Sequence, residues 1–269
     1  MSEANVETRT AKPFLKTALV LWILALCGMA LVLPYALHIE AKVLAEAAAR
    51  KGLEPAVLLA ISLAQSAILF AIAAFAGLWA ARKLGLGAPV IEAWLTRSAL
   101  PKWTAWTLIF AVLVGVLTAF AIIALNKWVF APIVPASPAV ANPAAWQGLL
   151  ASFYGGIDEE IMMRLGLLSL LALLFRTIAR MFGGSRVLLL PSGAFWTANI
   201  VAAVIFGLGH LPAIAAVMHL TPFVVAQAVV LNGIGGIVFG VLYRRFGLEW
   251  AMTAHFSADI VLHVVFALG

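Results

Sequence analysis

Three residue pairs, each spaced four apart, stand in stretches that are otherwise apolar: Glu160 with Arg164, Phe206 with His210, and His255 with Asp259. Asp158 and Glu159 directly precede the first pair. Amide hydrolysis needs a group that activates water, a proton carrier and a group that holds the oxyanion. Carboxylates and imidazoles can supply all three. Ionisable groups at bilayer depth cost roughly 2.5–3.5 kcal/mol each. Asp158, Glu159, Glu160 and Arg164 fall within one apolar stretch, Trp146 to Phe175. Together they oppose insertion by on the order of 10 kcal/mol before partners offset it. A load of that size marks a working site.

Helix geometry sorts these groups, because residues four apart share a face. Glu160 and Arg164 form an ion pair with the acid N-terminal, the favourable order. Glu159 is turned about 100° from Glu160, so it is expected to point elsewhere, into a cavity shared with other helices. Asp158 cannot share the face of both following acids. It is expected to pair locally or reach a water cavity, and stays outside the catalytic set. His210 lies between Gly209 and a proline-interrupted stretch. Gly207 and Gly209 would let a neighbouring backbone approach closely.

The elements that must position these groups are membrane helices. Of 269 residues, 65% are hydrophobic and only 10% are Asp, Glu, Lys or Arg, against about 25% in soluble domains. The chain reads as all-α, a polytopic transmembrane helix bundle. Seven segments reach spanning length: 15–37, 55–81, 103–125, 146–175, 195–219, 221–243 and 248–268. Pro212 and Pro222 interrupt the 195–243 stretch, and splitting it there would make eight. The apolar run after the polar N-terminus is too long for a cleavable signal core, so it reads as the first span.

Basic residues fall between spans rather than in one patch, which argues against nucleic acid as a partner. With the N-terminus cytoplasmic, twelve Lys and Arg lie on the cytoplasmic side and four on the other, with Arg164 inside. That bias follows the positive-inside rule. Trp103, Trp106, Trp128, Trp146, Trp196 and Trp250 fall near span ends, as an interfacial belt would. Residues 38–54 and 82–102 read as short amphipathic helices, and the Pro-rich 131–145 as an irregular loop. No repeat or soluble domain appears. Residues 1–269 read as one membrane domain, with 1–145 holding three motif-free spans and 146–269 the reactive core.

The motifs E-E-x-x-x-R (Glu159, Glu160, Arg164), F-x-x-x-H (Phe206, His210) and H-x-x-x-D (His255, Asp259) occur in order, in separate spans. Together they resemble the CPBP family of intramembrane proteases. That family includes the type II CAAX prenyl endopeptidases and bacterial proteins linked to bacteriocin processing or self-immunity. The resemblance implies peptide-bond hydrolysis within the membrane. It implies Glu159 as general base on a water that His210 helps to hold, with His255 and Asp259 at the oxyanion. Glu160 and Arg164 would orient their helix and tune Glu159. Phe206 would support His210. The implied partners are membrane lipids and a lipidated or membrane-embedded peptide substrate; the Ala-rich composition and short loops point to a bacterial cell membrane as the setting.

One departure bears on mechanism. The eukaryotic-type and archaeal CAAX proteases have Asn where this chain has Asp259. An ionised Asp cannot donate a hydrogen bond. It must be protonated, orient His255, or bind a metal. Glu159, His210, His255 and Asp259 are the candidate ligands for zinc, whose chemistry suits two histidines and a carboxylate. However, H-E-x-x-H is absent and these residues come from three helices, so a metal-free route stays open beside the metal one.

Plainer roles account for the other polar or reactive residues. Glu160–Arg164 can serve as a helix-locking ion pair even in an active enzyme. His219 and His263 read as interfacial or packing residues, and His38 as a loop residue. Met162 and Met163 read as cavity lining, and Gly236-x-x-x-Gly240 as helix packing. Cys27, the one cysteine, is remote in sequence from the cluster. No serine sits in a catalytic context, so a serine or cysteine nucleophile is disfavoured. Other functions that intramembrane acids and histidines serve are a proton-coupled transporter and a silent immunity or scaffold protein.

Overall fold

The computed structural model describes residues 13–101, 104–134, 143–184 and 189–265. Long runs of Leu, Ala, Val and Ile with few breakers make helices, and the described residues contain no strand. Helix α1 spans Phe14–Arg50, α2 Pro55–Lys83, α3 Pro89–Thr96 and α4 Thr104–Leu125. Helix α5 spans Ala145–Met181 and contains two π-helical turns, Tyr154–Glu159 and Ile161–Leu168. Helices α6 (Ser192–Gly209), α7 (Leu211–Val217), α8 (Pro222–Phe246) and α9 (Leu248–Asp259) complete the order. Helices α4 and α9 run on into π-helical turns, Asn126–Phe130 and Ile260–Val265.

Six stretches are long and apolar enough to cross a membrane: α1, α2, Ala105–Phe130, α5, Ser192–Val217 and α8. They correspond to the first six expected segments. The seventh, 248–268, is helical from Leu248 to Val265 and packs against α4, α5 and α8. It carries the polar residues of the last motif.

Helix α5 is the axis of the bundle. Half of its most apolar window is buried (50%), against 17–33% in the other five candidate spans. Its first π turn packs between α1 and α9, and its second against α2 and α6. The start of α5 is tied down by Gln147, whose Oε1 accepts from the Ala144 N–H at 2.9 Å while Nε2 donates to the Pro34 carbonyl of α1 at 2.9 Å. The start of α9 is fixed by Glu249, whose Oε1 accepts from the N–H groups of Val90 and Ile91 at 2.9 and 2.8 Å. Those are the orphan donors of the first turn of α3. Gly236 meets Ala203 and Gly240 meets Asn199, so this spacing packs α8 on α6 as expected.

Several expectations are corrected. Residues 38–50 are not a separate amphipathic helix. They continue α1, because nothing after Pro34 breaks the Ala-rich run before Gly52, whose φ is +66°. His38 is therefore helical rather than a loop residue. Pro212 does not split a span, because it sits in the first turn of α7, where its missing N–H costs nothing. Residues 211–217 are a short continuation beyond a bend at His210, so an eighth span does not arise there. Trp250 is buried (2% exposed) in the core and is not part of an aromatic belt. Met163 is buried and Met162 packs on the main core, so both are packing residues. Residues 1–12, Lys102, Trp103, Arg186 and most of the 131–145 loop, for which expectations are given above, lie outside the described residues.

Candidate active site

Helices α5, α6 and α9 bring the three motifs together. His255, on α9, is the hub. Its Nδ1 lies 2.8 Å from Glu160 Oε1. Its Nε2 lies 3.6 Å from Glu159 Oε2 and 3.7 Å from Asp259 Oδ1. Glu160 also meets Arg164, Nη2 to Oε1, at 3.0 Å. Acid and guanidinium are both buried, at 0% and 1% exposure. A carboxylate paired with Arg can only accept, so Nδ1 of His255 carries the proton it donates to Glu160. Nε2 is then the nitrogen that faces Glu159 and Asp259.

Successive acids of α5 thus grip one imidazole from two sides. Glu159 does face a neighbouring helix and not the side of Glu160, but there it meets the same imidazole that Glu160 holds from the other side. The reason is local backbone geometry. Glu160 joins two π-helical turns, which bond i to i+5 and lie frequently at functional sites. Glu160 does more than lock its own helix, because it also sets the orientation of a residue on α9.

Aromatic rings close the rest of the pocket. Phe239 stacks on the His255 ring at 4.9 Å, and Phe206 meets it edge-on at 6.0 Å. Arg164 lies over both rings, 5.3 Å from the Phe206 centroid and 5.9 Å from that of Phe239. Phe206 therefore contacts the buried cation as well as His210, whose ring it meets at 4.8 Å.

His210 ends α6. Its Nδ1 donates to the Phe206 carbonyl at 2.8 Å, which leaves Nε2 as an acceptor. It makes no contact-range ion pair with Glu159, so anything shared between them must be bridged.

Two features escaped sequence reasoning. The first is Gly155, one turn before Glu159. A Cβ there would run into Asp259 Oδ2 and come within 3.3 Å of His255 Nε2. Only glycine lets α5 and α9 meet so closely that Glu159 reaches His255. The Gly155–Gly156 pair before the acids was the available signal. The second is Phe239, which no sequence signal separates from other apolar residues of α8.

Asp158 is fully buried against Gly28 of α1, with no side chain partnering either oxygen. No local side-chain pair receives it. His219 is exposed in the linker before α8. His263, expected to be an interfacial or packing residue, packs edge-on against Tyr35 and also lies 3.9 Å from Asp259, Nε2 to Oδ1. Cys27 is exposed on α1. A separate groove of ≈ 590 Å³ between α4 and α8, lined in part by Phe110, Val238 and Val241, holds neither acid nor imidazole.

The candidate zinc ligands do not form a ligand set. Among the described residues no three His, Cys, Asp or Glu side chains are arranged to hold a metal. His255 and His210 each engage Nδ1 and leave Nε2 as the open ring nitrogen, so it is the spacing of the donors, not their commitment, that is unlike a ligand set.

A bundle of apolar helices enclosing a carboxylate–imidazole cluster is the architecture of an integral, multi-pass membrane protein with a hydrolase-like site. Residues 140–261 match the family model for type II CAAX prenyl endopeptidase Rce1-like proteins. Over that stretch the chain is similar to the type II CAAX prenyl endopeptidases, the CPBP-type intramembrane proteases. All seven motif residues fall inside it, whereas α1, α2 and His263 fall outside. No curated protein and no solved structure matches the chain.

Proposed function

We propose that this CAAX-type protease cleaves a lipidated or membrane-embedded peptide with water activated by Glu159. The observation that carries the reading is the convergence of Glu159 Oε2 on His255 Nε2 at 3.6 Å, with Glu160 holding the opposite ring nitrogen. That gap is too long for a direct hydrogen bond and suits a bridging group.

In this reading the Glu159 carboxylate takes a proton from water as the water oxygen bonds to the scissile carbonyl carbon. The carbonyl π pair moves to oxygen, and protonated His255 donates to that oxyanion from Nε2. The new carbon–oxygen bond stays. The oxyanion pair then re-forms the carbonyl, the carbon–nitrogen bond breaks with its pair on nitrogen, and the proton held by Glu159 passes to the leaving amine. A carboxylic acid and an amine result. His210 accepts from the water through Nε2. Asp259 takes the second of the three roles open to it: its ionised carboxylate, 3.7 Å from Nε2, attracts the imidazolium and orients His255 without taking the hydrogen bond that Nε2 gives the oxyanion. No step uses a metal.

The test uses wild type and Glu159→Gln in nanodiscs, with a fluorogenic prenylated CAAX peptide and a quenched transmembrane peptide. Cleavage by wild type and none by the folded variant is the expected result. Equal cleavage by both would exclude Glu159 as base. Cleavage of the transmembrane peptide alone would remove the lipidated substrate class.

A further inference from the structure

His263 continues the last motif by one turn. His255, Asp259 and His263 are spaced four apart and share one face of α9 and its terminal π turn. Asp259 Oδ1 has His255 Nε2 at 3.7 Å on one side and His263 Nε2 at 3.9 Å on the other. Its Oδ2 lies against Gly155. The carboxylate therefore has a neighbour on three sides, and His263, with 40% of its side chain exposed, supplies the outermost at ion-pair rather than hydrogen-bond distance.

Something must hold His263 in turn. Tyr35 of α1 meets its ring edge-on at 5.8 Å. Tyr35 follows Pro34, whose carbonyl accepts from Gln147 of α5 at 2.9 Å. Gly148, the next residue of α5, lies against the His263 carbonyl. Helices α1, α5 and the end of α9 are thus fastened to one another at this level.

We infer that His263, backed by Tyr35, is a positioning residue that holds the Asp259 carboxylate in place beside His255. The inference rests on the proposed glutamate-driven hydrolysis. It goes beyond that reading because both residues lie outside the stretch that matches the protease family. It gives the N-terminal helix a part in the site. Without His263, Oδ1 is free to swing toward His255 or toward solvent. His255 Nε2 would then lose its alignment with the oxyanion.

Turnover by wild type, Glu159→Gln, His263→Leu, His263→Gln and Tyr35→Leu in nanodiscs tests this. His263→Leu is expected to lower kcat between about ten- and a hundredfold, as a small misplacement near the chemistry does, with KM within about twofold. His263→Gln keeps a nitrogen donor and is expected to recover most of kcat. Tyr35→Leu is expected to move kcat in the same direction by less. Unchanged kcat in His263→Leu, or equal losses in the Leu and Gln variants, would overturn the assignment. Should His263→Leu not fold, unchanged kcat in Tyr35→Leu would do the same.

A double-mutant cycle in thermal denaturation, with His263→Leu, Asp259→Asn and both, reads the contact without turnover. Non-additive losses support it, and simple additivity removes it. Failure of the hydrolysis reading shows separately, as equal activity in wild type and Glu159→Gln.

Discussion

Glu160 Oε1 accepts from His255 Nδ1 at 2.8 Å and meets Arg164 Nη2 at 3.0 Å, so one buried oxygen serves both an imidazole on α9 and a guanidinium on α5. The acid that locks its own helix therefore also orients the group that faces Glu159. Structural and chemical roles are combined in one carboxylate.

Glu160→Gln follows from that sharing. It keeps the shape but leaves Arg164 buried without a countercharge. Breaking a buried pair costs about 3–5 kcal/mol. The expected outcome is a clear drop in melting temperature together with a loss of kcat. Replacing both members, Glu160→Gln with Arg164→Met, is expected to recover part of the stability and none of the activity. Thermal melting and turnover on the same preparations check both.

Gly155→Ala should separate activity from folding. Its Cβ would displace the Asp259 carboxylate and crowd His255 Nε2. A shift of about 1 Å near reacting groups costs on the order of 10²-fold. Purification as a folded protein with about that loss in kcat is the expected result. Activity within twofold of wild type would mean that α5 and α9 tolerate separation at this point.

Gly28 and Asp158 form a second close contact, between α1 and α5. A Cβ at Gly28 would strike the Asp158 carboxylate. Overpacking of this kind costs about 1–3 kcal/mol. Gly28→Ala is therefore expected to lower the melting temperature, and Asp158→Ala in the same chain to restore much of it. Equal melting of the single and double variants would contradict the contact.

Chelation tests the donor geometry. Among the described residues no three His, Cys, Asp or Glu side chains converge as a metal site would require. Cleavage is expected to persist after treatment with a strong zinc chelator and dialysis. Loss of cleavage that returns on adding zinc would show that the site rearranges around a metal.

Much of the site was legible in the chain. Ionisable residues in apolar spans are so costly that Glu159, Glu160, Arg164, His210, His255 and Asp259 stood out by composition alone. Their four-residue spacing paired Glu160 with Arg164 and His255 with Asp259, and both pairs are close in space. The helical class and six of the spans followed from the length of the apolar runs.

Which ring nitrogen meets which acid was decided only in three dimensions. The π-helical turns around Glu160 are set by packing between α1, α2, α6 and α9, and no residue pattern announces them. Gly155 and Phe239 matter because of what lies opposite them on another helix, and a single chain's periodicity reports only which residues share a face. His263 and Trp250 illustrate the same limit. One lies beside Asp259 and the other entered the core because α9 packs against α4, α5 and α8, a placement that depends on all of these neighbours at once.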